Sequence, residues 1–537
     1  MFINKLYILI IFLIFGLNLT GYCEVAIIPQ PRSIKYTNKS FEFNENTKII
    51  YKDIDKDVAQ YASSILSRST GYPLQLSGEG KQLDNCLIFK KINDSNLGKE
   101  GYRLDVYNNY IMVSANTDNG LFYGFQSLLQ LLPAKVYSSN VQNSVRWIVP
   151  GVNIVDKPHF KWRAMHLDVS RHFMPIEFVK KFIDLLAIHK FNRFHWHLTD
   201  DQGWRIEIKK YPRLTEVGAW RDGTLIGLNT QPESEKKYDG IVHGGYYTQD
   251  EIKEVVQYAR KRHIDIMPEI EMPGHAQAAI ASYPELGCTG KNPGVKKDWG
   301  GSKYIFCADE NTINFIENVL DEVLELFPSK YIHVGGDEVS TGHWVNGERV
   351  KVTMERYNLK DMYEVYGWFM GRINRYLKSN KRTMVAWDEI IEGGIPDEAV
   401  VMSWRGNTGA IQAANMGFYT VNADSNYTYF DKYQSESGSE PLAIGGLITL
   451  EDVFNFNPVP SELSFNNRKF ILGAQGQLWT EYMPNPDHVE YMAFPRECAL
   501  SEVLWTYKNT NFDNFENRLR NHLKRLDTLN VNYRRPN

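Results

Sequence analysis

Two adjacent carboxylates, Asp337 and Glu338, follow Gly335-Gly336 at the end of the short apolar run Tyr331-Ile332-His333-Val334. The glycines let the backbone turn sharply or let a ligand come close. A β-compatible run that ends in Gly-Gly and then presents acids is how a barrel enzyme displays catalytic groups at the C-terminal mouth of a strand. By itself the pair also reads as two solvated acids in a loop. The rest of the chain separates these readings.

From residue 156 onward the pattern is strand, loop, helix, repeated. Trp162 to Asp168, Phe194 to Leu198, Ile264 to Ile270 and Tyr331 to Val334 read as strands, followed by Thr383 to Trp387, Ala399 to Trp404, Tyr419 to Asn422 and Phe470 to Leu478. Between them Ile176 to His189, Asn311 to Phe327 and Leu359 to Ser379 read as helices, the first two with apolar residues at helical spacing. Thr248-x-x-Glu251 is a capping box opening another helix. Eight candidate strands fit a (β/α)8 barrel with long loops at the strand ends. A doubly wound open sheet is the alternative, but no Gly-x-Gly-x-x-Gly follows the first strand. Residues 24–155 alternate short strand-like runs with turns and read as a small α+β domain with an antiparallel sheet. Residues 156–537 are the barrel, ending in an amphipathic helix from Phe512 to Leu529.

A barrel brings the strand-end residues together. They are Arg171, Asp200, His275, Asp337 and Glu338, then Trp387, Trp404, Tyr429 with Asp431, and Trp479 with Glu481. Aromatic walls stack on a sugar ring while acids and an arginine bind hydroxyls. His333-Val334-Gly335-Gly336-Asp337-Glu338 resembles the signature of glycoside hydrolase family 20, the β-N-acetylhexosaminidases. Leu167-Asp168-Val169-Ser170-Arg171, His195-Trp196-His197-Leu198-Thr199-Asp200, Met272-Pro273-Gly274-His275, Ala386-Trp387-Asp388, Ser403-Trp404 and Gln477-Leu478-Trp479-Thr480-Glu481 are similar to the family's other barrel motifs, in the same order.

Cleaving a glycosidic bond needs a proton for the leaving oxygen and a nucleophile at the anomeric carbon. Neighbours on an extended chain point to opposite sides, so Asp337 and Glu338 are badly placed to bracket one sugar as acid and nucleophile. The resemblance implies instead that the substrate's own 2-acetamido oxygen attacks. Asp337 would then orient the acetamido nitrogen, Tyr429 would bond the acetamido oxygen, and Glu338 would act first as acid and then as base. The resemblance also places Arg171, Asp431 and Glu481 on sugar hydroxyls, and Trp387, Trp404 and Trp479 around the sugar. It places Asp200 and His275 with the substrate-binding set, supporting the acid pair. It implies no metal and no cofactor, and a glycan with a terminal β-linked N-acetylhexosamine as partner.

The 537 residues are 43% hydrophobic with a net charge of −4, ample for a large core and without the basic excess that nucleic acid would call for. Met1 to Cys23 reads as an export signal, with the apolar run Leu6 to Leu17 too short for a comfortable membrane span. Cys23 raises a lipid anchor, which Tyr22 before it disfavours. Export makes disulfides available, and Cys288 and Cys307 bracket a loop that a disulfide would clamp. Cys86 lies in a strand-like apolar run and reads as a buried free thiol. Three rival readings remain: a metal-dependent hydrolase built on His195-x-His197, a disaccharide-releasing member of the same family, and a glycan-binding protein without chemistry.

Overall fold

The structure is a computed structural model, and it describes residues 26–51, 56–78, 84–507 and 511–536. The expected export signal and Cys23 lie outside the described residues. No helix among the described residues is long and apolar enough to cross a membrane.

Eight strands pair in parallel and in chain order to close a barrel: Trp162–Asp168, Arg193–His197, Asp265–Glu269, Tyr331–His333, Thr383–Trp387, Val400–Ser403, Thr420–Asn422 and Ile471–Gly476. The ring closes where Gly473 pairs with Trp162. Each expected strand is present: the first and fifth have the expected bounds, the second is shifted by one residue, and the rest are trimmed by one or two residues at an end. Parallel neighbours need a crossover, and helices supply most of them. Ile176–Ile188, Gln249–Arg260, Glu310–Leu326 and Met362–Ser379 follow the first four strands. The helix at Gln249 opens on the expected capping box, with both reciprocal bonds between Thr248 and Glu251 formed. Only a short 3-10 turn, Asp388–Ile391, separates the fifth strand from the sixth. That departure from strict alternation leaves acids directly behind Trp387.

The preceding domain holds a seven-stranded sheet. The expectation of an antiparallel sheet is corrected here: the sheet is mixed. Ser33–Glu42, Ile148–Asp156, Tyr102–Val106 and Tyr110–Ala115 run antiparallel to one another. Cys86–Lys91 and Lys48–Tyr51 then add in parallel. The helix Lys56–Thr70 provides the crossover that parallel pairing requires. The helix Asp118–Leu131 is buried on all sides from Gly120 onward, because its sheet covers one face and the barrel the other. Gln130 bridges the two, its amide bonding Ile28 at both backbone groups and Ile188 O at 3.3 Å. Asp156 does the same through Tyr102 at 2.7 Å and Trp505 at 2.9 Å. Cys86 is a buried free thiol.

The barrel interior is layered. Apolar side chains such as Ala164, Met267, Val400 and Met402 fill it, with Trp162 at one end and Trp387 and Trp479 at the other. Between the strands' C-terminal ends lies a fully buried polar layer of His166, His195, His197, Glu269, His333 and Gln475. His195 and His197 share the inward face of their strand, while Trp196 between them packs outward against Phe194 and Tyr247.

Candidate active site

The turn after the fourth strand carries the two carboxylates. Gly335 and Gly336 take φ of 65° and 98°, and Glu338 itself takes 48°. A glutamate in the left-handed region is strained unless its surroundings hold it there. They do: Tyr366 donates to Gly336 O at 2.7 Å, and Trp387 N donates to Gly335 O at 2.9 Å. A side chain at Gly335 is excluded outright, since a Cβ there would lie 1.6 Å from the Glu271 carboxylate.

This backbone corrects the expectation that the two acids diverge. Strand alternation does not extend through a left-handed residue, and both carboxylates converge on one imidazole. His275 Nε2 lies 3.5 Å from Asp337 and 3.6 Å from Glu338. His275 is also left-handed, with φ of 49°. Its Nδ1 bonds Asp200 at 3.1 Å, and the surrounding acids hold the imidazole well above its usual pKa against the opposing effect of burial. Partial burial raises the Glu338 pKa; the His275 charge opposes the shift and Asp337 adds to it. Glu338 keeps 46% of its side chain exposed, whereas Asp337 is buried. The acid therefore faces the mouth and the aspartate faces inward.

Arg171 anchors the opposite side. Its guanidinium meets Asp168 at 3.2 Å, Asp200 at 3.0 Å and Glu481 at 3.9 Å, and lies over the Trp479 ring at 5.0 Å. Asp168 in turn accepts from the backbone of Ser170, Arg171 and Thr480, tying the first strand end to the eighth. Trp387 and Trp479 lie 5.9 Å apart, Tyr429 sits 6.2 Å from Trp479, and Trp404 stacks on Tyr429 at 6.1 Å. These four rings form one wall. Asp431 and Glu481 stand beside it. Burial and the neighbouring Glu481 push Asp431 up to about 7, and burial also raises Glu481.

Several polar atoms here are buried yet have no hydrogen-bond partner among the described residues: Asp337 Oδ1, Asp431 Oδ1 and Glu481 Oε2. Buried polar atoms are ordinarily bonded, so orphans gathered at a strand-end mouth are what ligand hydroxyl and amide groups would satisfy. Asp200 differs and needs correction as a substrate contact. Its side chain is fully buried, and its oxygens are taken by Arg171, His197, His275 and the Asp201 amide. It supports the acids from beneath. His275, 4% exposed, acts likewise.

The sequence pattern gave no role to Glu269, Glu271 or Glu389. Glu269 and Glu271 are acids within an otherwise apolar strand end, which is the one signal that marks them. Glu389 accepts from Trp404 Nε1 at 3.1 Å, and burial with Asp337 and Asp388 nearby pushes it up to about 8. Cys288 and Cys307 form a disulfide that closes the loop after the third strand. His195 and His197, the proposed metal pair, both contact Glu269, as does His333.

The model for "Glycosyl hydrolase family 20, catalytic domain" matches residues 160–508, and "Glycosyl hydrolase family 20, domain 2" matches 24–157. A beta-hexosaminidase of Porphyromonas gingivalis is 40% identical over 516 residues, 95% of this chain and 64% of that protein. The chain thus spans less than two thirds of that relative's length. The GH20 beta-N-acetylhexosaminidase structure from Streptomyces coelicolor A3(2) superposes with a TM-score of 0.82 at 29% identity, covering 95% of this chain and 98% of that one. A mutant Streptomyces plicatus beta-hexosaminidase in complex with product (GlcNAc) does so with 0.82 at 30% identity, covering 95% and 97%. With family models matching residues 24–157 and 160–508 and the whole fold superposing on these structures, the chain belongs to glycosyl hydrolase family 20.

Proposed function

We propose that this chain is an exo-acting, retaining β-N-acetylhexosaminidase that removes terminal β-linked N-acetylglucosamine or N-acetylgalactosamine by substrate-assisted catalysis. The observation that carries the reading is the convergence of Asp337 and Glu338 on His275, beside a wall of four aromatic rings. Both carboxylates lie within 3.6 Å of the same His275 nitrogen. One of them is partly exposed with a raised pKa and suits a general acid. The other is buried with one oxygen unpartnered and suits a charge-stabilising acceptor.

In this mechanism the acetamido carbonyl oxygen attacks the anomeric carbon while Glu338 gives its proton to the leaving oxygen. Asp337 accepts the acetamido N–H and stabilises the positive charge that grows on the ring being formed. Tyr429 donates to the acetamido oxygen. Water then opens the oxazolinium-like intermediate, with Glu338 as base, so the configuration is retained. Arg171 and Glu481 bind the outer hydroxyls, with Asp431 beside them. The GlcNAc product held by the Streptomyces plicatus relative is consistent with a site for one terminal sugar. We assign export to the same reading on the apolar run Leu6 to Leu17, which N-terminal sequencing of the mature protein tests.

The test compares aryl β-N-acetylglucosaminide with aryl β-glucoside for the unmodified chain, Glu338→Gln and Asp337→Asn. Cleavage restricted to the acetamido substrate, with most of it lost in both variants, is expected. Comparable cleavage of the glucoside means that the nucleophile belongs to the protein, and the role of Asp337 falls.

A further inference from the structure

We propose that Glu269, buried at the C-terminal end of the third barrel strand, is a positioning residue. It holds both the charge network beneath the acid Glu338 and the pocket wall Trp387. The proposal rests on the reading of Glu338 as the general acid.

Glu269 is fully buried and bonded on both oxygens. Oε1 accepts from Trp387 Nε1 at 3.0 Å and meets His333 Nδ1 at 2.6 Å. Oε2 meets His195 Nε2 at 3.0 Å and bonds His197 Nδ1. His197 then bonds Asp200 through its other nitrogen at 3.0 Å, and Asp200 bonds His275 at 3.1 Å. A continuous path therefore runs Glu269, His197, Asp200, His275, Glu338. From the same carboxylate a separate arm reaches one of the four aromatic rings.

The state of His197 follows from geometry. A neutral imidazole has one N–H, but both nitrogens of His197 face carboxylate oxygens. Only the imidazolium satisfies both. Its other neighbours are Asp168 and His166 from the first strand, Glu271 at 4.0 Å from the third, the adjoining His195, and the Trp479 ring at 5.1 Å. Arg171 reaches the same Asp200 oxygen. Burial disfavours the charge, yet Glu269, Asp200 and Asp168 outweigh it and hold His197 up to about 10. The cation bracketed by Glu269 and Asp200 fixes Asp200, and Asp200 fixes the His275 ring that both active-site acids address.

Glu269→Gln separates the two arms. The amide oxygen can still accept from Trp387, while the NH2 group replaces the acceptor that His197 Nδ1–H needs. His197 then loses its cationic form at a lower pH. The sign follows directly: the imidazolium is present below its pKa, so lowering that pKa removes it from the alkaline side first.

The experiment measures the pH profile of kcat/KM on aryl β-N-acetylglucosaminide for the unmodified chain and Glu269→Gln. Alongside it, solid-state NMR of histidine-labelled unmodified protein at about pH 8 is assigned by difference with His197→Gln. The expected results are an alkaline limb, set by Glu338, displaced by about half a pH unit or more from that of the unmodified chain, and kcat reduced about tenfold or more with a smaller change in KM. His197 should carry protons on both nitrogens. Turnover with an unshifted profile overturns the role of Glu269, as does a neutral His197 at that pH. A divalent ion found in stoichiometric amount in the purified protein also overturns it, since His195, Glu269 and His333 would then be ligands. No turnover by the unmodified chain overturns the functional reading itself. The NMR arm uses the unmodified chain and so stands if Glu269→Gln does not fold.

Discussion

Replacing Asp337 by Asn removes a charge and leaves the shape. The side chain is 13% exposed, so its charge acts through protein more than through water. A full charge pair about 3 Å apart in an effective dielectric of about 20 is worth about 5 kcal/mol. If about half a charge has developed on the acetamido group at the transition state, Asp337 contributes about 2–3 kcal/mol to the barrier. That corresponds to a fall in kcat of about 30- to 150-fold. The ground-state substrate carries no such charge, so KM should change little. The assay is steady-state hydrolysis of an aryl β-N-acetylglucosaminide, with circular dichroism to confirm the fold. A second substrate series, with fluorine added stepwise to the acetyl group, reports whether the acetamido oxygen attacks in each enzyme. A kcat for Asp337→Asn within about fivefold of the unmodified value would refute the electrostatic argument, because that leaves under about 1 kcal/mol for a buried charge. An unchanged rate across the fluorinated series would refute acetamido participation.

Glu338 must be protonated to act as acid, and its pKa is raised, so activity should persist above the usual carboxylate range and fall as pH rises through the shifted value. Glu338→Gln should abolish that alkaline limb in a kcat/KM profile. Gly335→Ala should inactivate the protein or prevent folding, because it forces a Cβ into the Glu271 carboxylate at a φ of 65°; soluble yield and activity check it. Arg171→Ala removes the guanidinium that the buried acids Asp168 and Asp200 share and should lower stability by about 3–5 kcal/mol, read by chemical denaturation. Reducing the Cys288–Cys307 disulfide, which spans 19 residues, should cost about 2–4 kcal/mol of stability and is read as a fall in Tm under reductant.

Local sequence signals determined a good deal of this protein. Alternation of apolar strands and helices from Trp162 onward specified the barrel, and the strands formed within a residue or two of where the pattern put them. The strand ends named Asp337, Glu338, Arg171, Tyr429 and the tryptophans as neighbours, because a closed barrel leaves strand-end side chains nowhere else to converge. Tertiary structure decided what these residues touch. Asp200 and His275 stand 75 positions apart, and Arg171 and Glu481 meet across the barrel seam from far more distant parts of the chain; both pairings exist only once the ring has closed. The left-handed Glu338 turned two supposedly divergent acids toward one histidine, a conformation that a Gly-Gly-Asp-Glu string permits but does not require. The parallel edge of the first domain's sheet depended on a helical crossover whose neighbours are not legible from strand periodicity. Glu269 passed as an ordinary core position, and His195 and His197 suggested only a rival metal pair. Burial and charge are sums over every neighbour in space, and periodicity along a chain records only which face a residue shares, not which charges meet there.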